Sequence, residues 1–130
     1  MTVIVERMEG KTLRVTAGDA TAIVDGGSDG FRSVDLLLGA LGACSAGTML
    51  TAAAEASIPV TSVRVELRPV VSMTPERVSR IKVKMTVGGS LSEADLAALR
   101  AAAGTCKVHN SLHHGIHTQL DLLAEEPQPA

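Results

Sequence analysis

The stretch "VDLLLGALGACSAGTMLTAAAEASIP" (34–59) decides how this chain folds. From Leu36 to Ala54 it runs for 19 residues without a charge, close to the length that spans a bilayer. Ser45, Thr48 and Thr51 interrupt it, and Ala and Gly dilute it. The segment therefore reads as the core helix of a soluble protein, apolar all round, from Val34 to about Ala56 and closed by Ile58–Pro59. No membrane partner is expected. Gly39, Ala43 and Gly47 stand four apart on one face, where small residues let a second helix come close. That neighbour is expected to be another buried helix, such as the same helix of a second subunit.

Working outward, the N-terminal side reads as strands. Val3–Met8 and Thr12–Ala17 flank the turn signal Glu9–Gly10, and Thr21–Val24 follows Gly18–Asp19. "DGGSDG" (25–30) is a loop. On the C-terminal side, "VRVELR" (63–68) and "IKVKMTV" (81–87) alternate apolar and charged residues, the period of half-buried antiparallel strands. Ser92, with Asp95 three residues on, caps a helix that turns Leu96 and Leu99 inward and ends at Gly104. A short helix with Thr105 as N-cap runs to about His114, and Ile116–Leu123 reads as a last strand. The order βββ-α-ββ-αα-β is α+β with a mainly antiparallel sheet. Residues 1–124 form one domain, and 125–130 read as a flexible C-terminal tail.

Composition narrows the function classes. The chain has 130 residues, 45% of them hydrophobic, yet one Phe and neither Trp nor Tyr. A small core built from aliphatic side chains gains from burial against a second copy, so a homodimer is expected. The net charge of −2 comes without a basic stripe or stacking aromatics, which argues against a nucleic-acid partner. "MTVIVERMEG" carries Glu6 and Arg7 and no signal-peptide apolar region, so the expected location is cytoplasmic. There, two cysteines are inert, redox-active or metal ligands.

Taken alone, Cys44 reads as a small hydrophobe in an apolar helix. Cys106 differs, because it falls at the start of the short helix with Lys107 beside it, where the helix dipole and a cation favour thiolate. Together the two cysteines fit a peroxidatic and resolving pair: one thiolate attacks a peroxide, and the second thiol condenses with the resulting sulfenic acid. Cys106, His109, His113, His114 and His117 offer a rival reading as zinc ligands. Gly115 breaks the helix before His117, so these five do not simply converge, and no metal is expected.

Three stretches, "GFRSVDLLLGALGAC" (30–44), "RIKVKMTVGGSLSEADLAALRAAAGTCKVHNSL" (80–112) and "GIHTQLDL" (115–122), resemble the OsmC/Ohr family in its OsmC-like branch. The family comprises osmotically inducible protein C and organic hydroperoxide resistance proteins. The specific feature is a cysteine ending an L-L-x-A-L-x-x-C run paired with a distant C-x-V-H. The resemblance implies an intertwined homodimer, with two long helices back to back inside sheets that both chains supply. It also implies a cofactor-free cysteine peroxidase for organic hydroperoxides, with Cys44 peroxidatic and Cys106 resolving. By the same resemblance the reductant would be a dithiol such as dihydrolipoamide, free or carried on a lipoylated protein. The residues alone favour Cys106 as the activated thiol, whereas the resemblance implies Cys44, whose motif match is close and which an Arg from elsewhere in the fold could ionise.

The family site also uses an Arg and a Glu. Asp35 stands at the Glu position, one methylene shorter, while Ser33 and Lys107 replace frequent prolines. Arg32 lies in the matching G-F-R, and Arg14 on an N-terminal strand is the other candidate. On a straight helix Asp35 lies roughly 13 Å along the axis from Cys44, so it would reach that thiol from the other chain or through a bend. Two other readings remain open: a binding protein for a small apolar ligand without peroxidase activity, and a metal protein centred on Cys106, His109 and His113.

Overall fold

The computed structural model describes residues 1–125. The N-terminal alternation becomes β1 (Ile4–Glu9), β2 (Thr12–Ala17) and β3 (Ala20–Val24), an antiparallel sheet in that order. Val5 pairs with Val15, and Leu13 with Val24. β1 is exposed along its whole length, and the sheet makes no extensive contact with the other described elements. It stands off the rest of the chain as an arm.

The loop after β3 is organised by one carboxylate. Asp25 accepts the backbone N–H groups of Gly27, Ser28, Asp29 and Gly30 at 2.9–3.0 Å. Gly30 is needed for close approach, because a Cβ there would lie 2.5 Å from the Ile23 carbonyl oxygen. The Asp29 N–H is the main cause that holds the Asp25 carboxyl below its ordinary 3.8; the Gly30, Gly27 and Ser28 donors add to it against a desolvation cost. A carboxyl lowered on folding stabilises the fold fully above its unfolded pKa and loses that stabilisation as pH falls through the folded value. The loop is thus expected to loosen on the acid side of pH 3.8. Asp25→Asn should loosen it at neutral pH, since an amide nitrogen then faces N–H donors. Faster amide exchange at Gly27–Gly30, by NMR, is the readout; unchanged exchange would show that the loop does not depend on this carboxylate.

Helix α1 (Ser33–Glu55) opens with a capping box in which the Arg32 N–H donates to Asp35 at 2.9 Å. Leu38, Leu41, Gly42, Ser45, Met49 and Ala53 form its buried stripe. Gly39, Ala43, Gly47 and Leu50 lie on the opposite face and are exposed. The expectation of a helix buried all round is therefore corrected for the single chain: everything packed on α1 lies on one side. At Gly42 a Cβ would come within 2.7 Å of Leu67 Cδ1, whereas nothing lies within 4 Å of one at Gly39 or Gly47.

β4 (Ser62–Ser72) and β5 (Arg77–Gly88) form a two-stranded antiparallel hairpin. It outruns the expected strands because apolar alternation reports burial, while pairing continues through exposed residues such as Val70 opposite Arg80. α2 (Glu93–Ala103) has the expected capping box of Ser92 with Asp95 and ends at Gly104. Met49 and Ala53 of α1 and Leu99 of α2 make the core, with Val63, Met85 and Val87 of the hairpin against them.

α3 (Lys107–His114) follows, and residues 115–125 have no regular structure. The expected strand at Ile116–Leu123 is absent, with Leu120 92% and Leu122 93% exposed. A strand exists only through its ladder partner, and no other strand pairs with this segment among the described residues. Of the expected tail, only Glu125 lies among the described residues.

Candidate functional site: two thiols at the start of helix α3

Cys106 is itself the N-cap of α3, which corrects the expected placement of Thr105 there. Thr105 instead donates its hydroxyl to the Ala102 carbonyl at 2.7 Å and closes the end of α2. The turn leaves the Cys106 sulfur facing the open end of α3, where it accepts the His109 N–H at 3.3 Å. From α1, the Ser45 hydroxyl lies 3.4 Å from the same sulfur.

Cys44, the residue before Ser45 on α1, lies near this group and is partly exposed, whereas Cys106 is 1% exposed. Both are free cysteines. Burial pushes the Cys106 thiol up, but the Ser45 side chain, the His109 N–H, the Cys44 side chain and the Val108 N–H outweigh it. The net effect is a pKa below the ordinary 9.0 of a thiol. Thiolate is the nucleophilic form. The arrangement brings a solvent-reachable thiol beside a buried one that favours its anion.

Arg32 and Asp35 are brought together, but not to the thiols. The Arg32 guanidinium meets the Asp35 carboxylate at 3.1 Å, and this pair raises the arginine and lowers the aspartate from their ordinary values. On the same helix as Cys44, and nearer its start, the pair lies roughly 13 Å or more along the axis from that residue. Arg14 lies on β2 opposite Glu6, in the arm.

Two cavities flank the site. One of about 410 Å³ lies between α1, β5 and α2, with Leu41, Met49, Met85, Leu99 and Arg100 in its wall. Ser45 and His109, the two groups on the Cys106 sulfur, also line it. The second, of about 370 Å³, holds His109 and His113 beside Leu37 and Ile81. The rings of His109 and His113 stack with centroids 6.4 Å apart, and His114 meets His113 edge-on. Among the described residues no three His, Cys, Asp or Glu side chains come together as metal ligands.

The OsmC-like protein family profile matches residues 26–121. The chain belongs to the OsmC-like family. The match takes in both cysteines, Arg32 and Asp35, and leaves β1 to β3 outside it.

Solved structures share the fold of this OsmC-like protein. An OsmC-like protein from Mycoplasma pneumoniae superposes with a TM-score of 0.78 at 17% identity, over 86% of each chain. A protein from Psychrobacter arcticus 273-4 gives 0.78 at 22% identity, over 90% of this chain and 88% of its own. An organic hydroperoxide resistance protein OsmC from Legionella pneumophila gives 0.60 at 18% identity, over 86% and 89%. Among curated proteins, none matches the chain.

Sequence reasoning missed Ser45, which it counted only as a polar interruption of the apolar run. The available signal was its place directly after Cys44, a hydroxyl among Ala and Gly.

Proposed function

We propose that this OsmC-like protein is a thiol peroxidase that reduces organic hydroperoxides. One observation carries the reading: two free thiols 62 positions apart lie near each other, Cys44 partly exposed and Cys106 buried against the Ser45 hydroxyl and the His109 N–H. The Cys44 thiolate attacks the peroxide O–O bond; the bond breaks, the alkoxide leaves and takes a proton as the alcohol, and Cys44 becomes sulfenic acid. Cys106 then attacks the Cys44 sulfur, closing a disulfide and releasing water. A dithiol reductant reopens it by exchange. The aliphatic cavity beside the thiols favours an apolar peroxide over hydrogen peroxide.

The partner in this reading is a second copy. The free face of Gly39, Ala43 and Gly47, the unpacked arm and the exposed segment 115–123 all leave apolar surface that a homodimer would cover. The same step would supply Arg32 with Asp35, or Arg14, from one chain to Cys44 of the other. A cytoplasmic setting keeps the resting thiols reduced.

The test treats purified protein with cumene hydroperoxide and maps the cysteines by mass spectrometry, alongside sedimentation equilibrium. Wild type should sediment at twice the 13.4 kDa chain mass and form an intramolecular Cys44–Cys106 disulfide. Cys106→Ser should trap sulfenic acid at Cys44. Both thiols staying reduced under excess peroxide would overturn the reading.

A further inference from the structure

Ser45 is 5% exposed and lies in the middle of an apolar helix, where Ala would suit both the helix and the packing. A helical Ser or Thr commonly turns its hydroxyl back to the carbonyl four residues earlier. Thr51 does so, donating to the Gly47 carbonyl at 3.1 Å. The Ser45 hydroxyl points instead across to α3 and the Cys106 sulfur, 61 positions away. It meets that sulfur together with the His109 N–H. A thiolate accepts several hydrogen bonds and donates none, so converging donors match the anion.

We propose that Ser45 is a positioning residue: its hydroxyl donates to the Cys106 sulfur, holds it as the anion and aims it at Cys44 for the step that closes the disulfide. This rests on the peroxidase reading for the step, though not for the hydrogen bond. In the step, the Cys106 thiolate supplies the electron pair for the new S–S bond. The S–O bond of the Cys44 sulfenic acid breaks, and hydroxide leaves and takes a proton to become water. The Cys106 sulfur is oxidised and the Cys44 sulfur reduced, with no further oxidant. Ser45 gives up no atom. The lowered pKa of Cys106, to which the Ser45 hydrogen bond contributes, agrees with this role.

The test separates the hydrogen bond from the chemistry. In a Cys44→Ala background Cys106 is the only thiol, and with neither Trp nor Tyr in the chain its anion is read cleanly by absorbance near 240 nm. Adding Ser45→Ala should raise the titration midpoint by about one pH unit, a tenfold loss of thiolate near neutrality. Ser45→Thr should restore the low midpoint, and Ser45→Val, with the shape of Thr but no hydroxyl, should not. Identical midpoints with and without the hydroxyl overturn the proposal, whatever the peroxidase assay gives. With Cys44 present, Ser45→Ala should slow disulfide closure about tenfold and leave sulfenic acid formation unchanged. Equal slowing of both steps would mean a general structural role and would also overturn it. A wild type inert to peroxide would sink the peroxidase reading and leave the titration arm to decide the hydrogen bond alone.

Discussion

Cys44→Ser is expected to drop the turnover of cumene hydroperoxide to the uncatalysed background, a loss of about 10⁴-fold or more. A serine hydroxyl ionises far above neutrality and is a poor nucleophile toward an O–O bond, so the first bond of the cycle never forms. The replacement keeps the size of the side chain at a partly exposed site, and far-UV circular dichroism should not change. Cys106→Ser should behave differently. Its first oxidation should run at nearly the wild-type rate, because Cys106 acts only afterwards, and cycling should then stall. Steady-state assays with a dithiol, set against single-turnover thiol loss, distinguish the two variants. If Cys44→Ser still consumed peroxide while Cys106→Ser did not, the roles would be reversed, as the lowered pKa of Cys106 taken alone would favour.

Met49→Ala should cost about 2–5 kcal/mol of stability, the range for removing a large buried aliphatic side chain. Met49 is 1% exposed and meets Ala53 and Leu99 in the one core cluster among the described residues. With no Trp or Tyr, this core depends on such aliphatic contacts. The side chain also borders the 410 Å³ cavity, so truncation enlarges an existing space and the walls have little to collapse onto. Urea unfolding at fixed protein concentration, needed if subunits associate, should show a lower midpoint with an unchanged slope. A shift under 0.5 kcal/mol, the scale of surface substitutions, would show that the core is not centred there.

Much of this was legible in the sequence where the cause is local. The Ser92 and Asp95 capping box, the limits of α1 and the alternation of β4 and β5 are written in residues a few positions apart. The residues allow Cys44 and Cys106 as a pair and the family resemblance assigns their roles, while the packing of α3 on α1 sets Cys106 near Cys44. What was not legible depends on contacts across the chain. The target of Ser45 is set by that same packing, and the N-cap moved from Thr105 to Cys106 because the Thr105 hydroxyl already serves the end of α2. The alternation in Ile116–Leu123 is real in sequence, yet alternation records a face to be covered and not the strand that covers it.

One atom holds two positions at once. The Cys106 sulfur closes the first turn of α3, and in the proposed cycle it would also be the nucleophile of the closing step. A sulfur committed to a disulfide is neutral and a weaker acceptor, so oxidation withdraws the cap from the helix it started. In that cycle the oxidation state of the thiol pair would be coupled to the order of α3 and to His109, which faces both cavities. The fold would then carry a mechanical record of whether its last encounter was with an oxidant or a reductant.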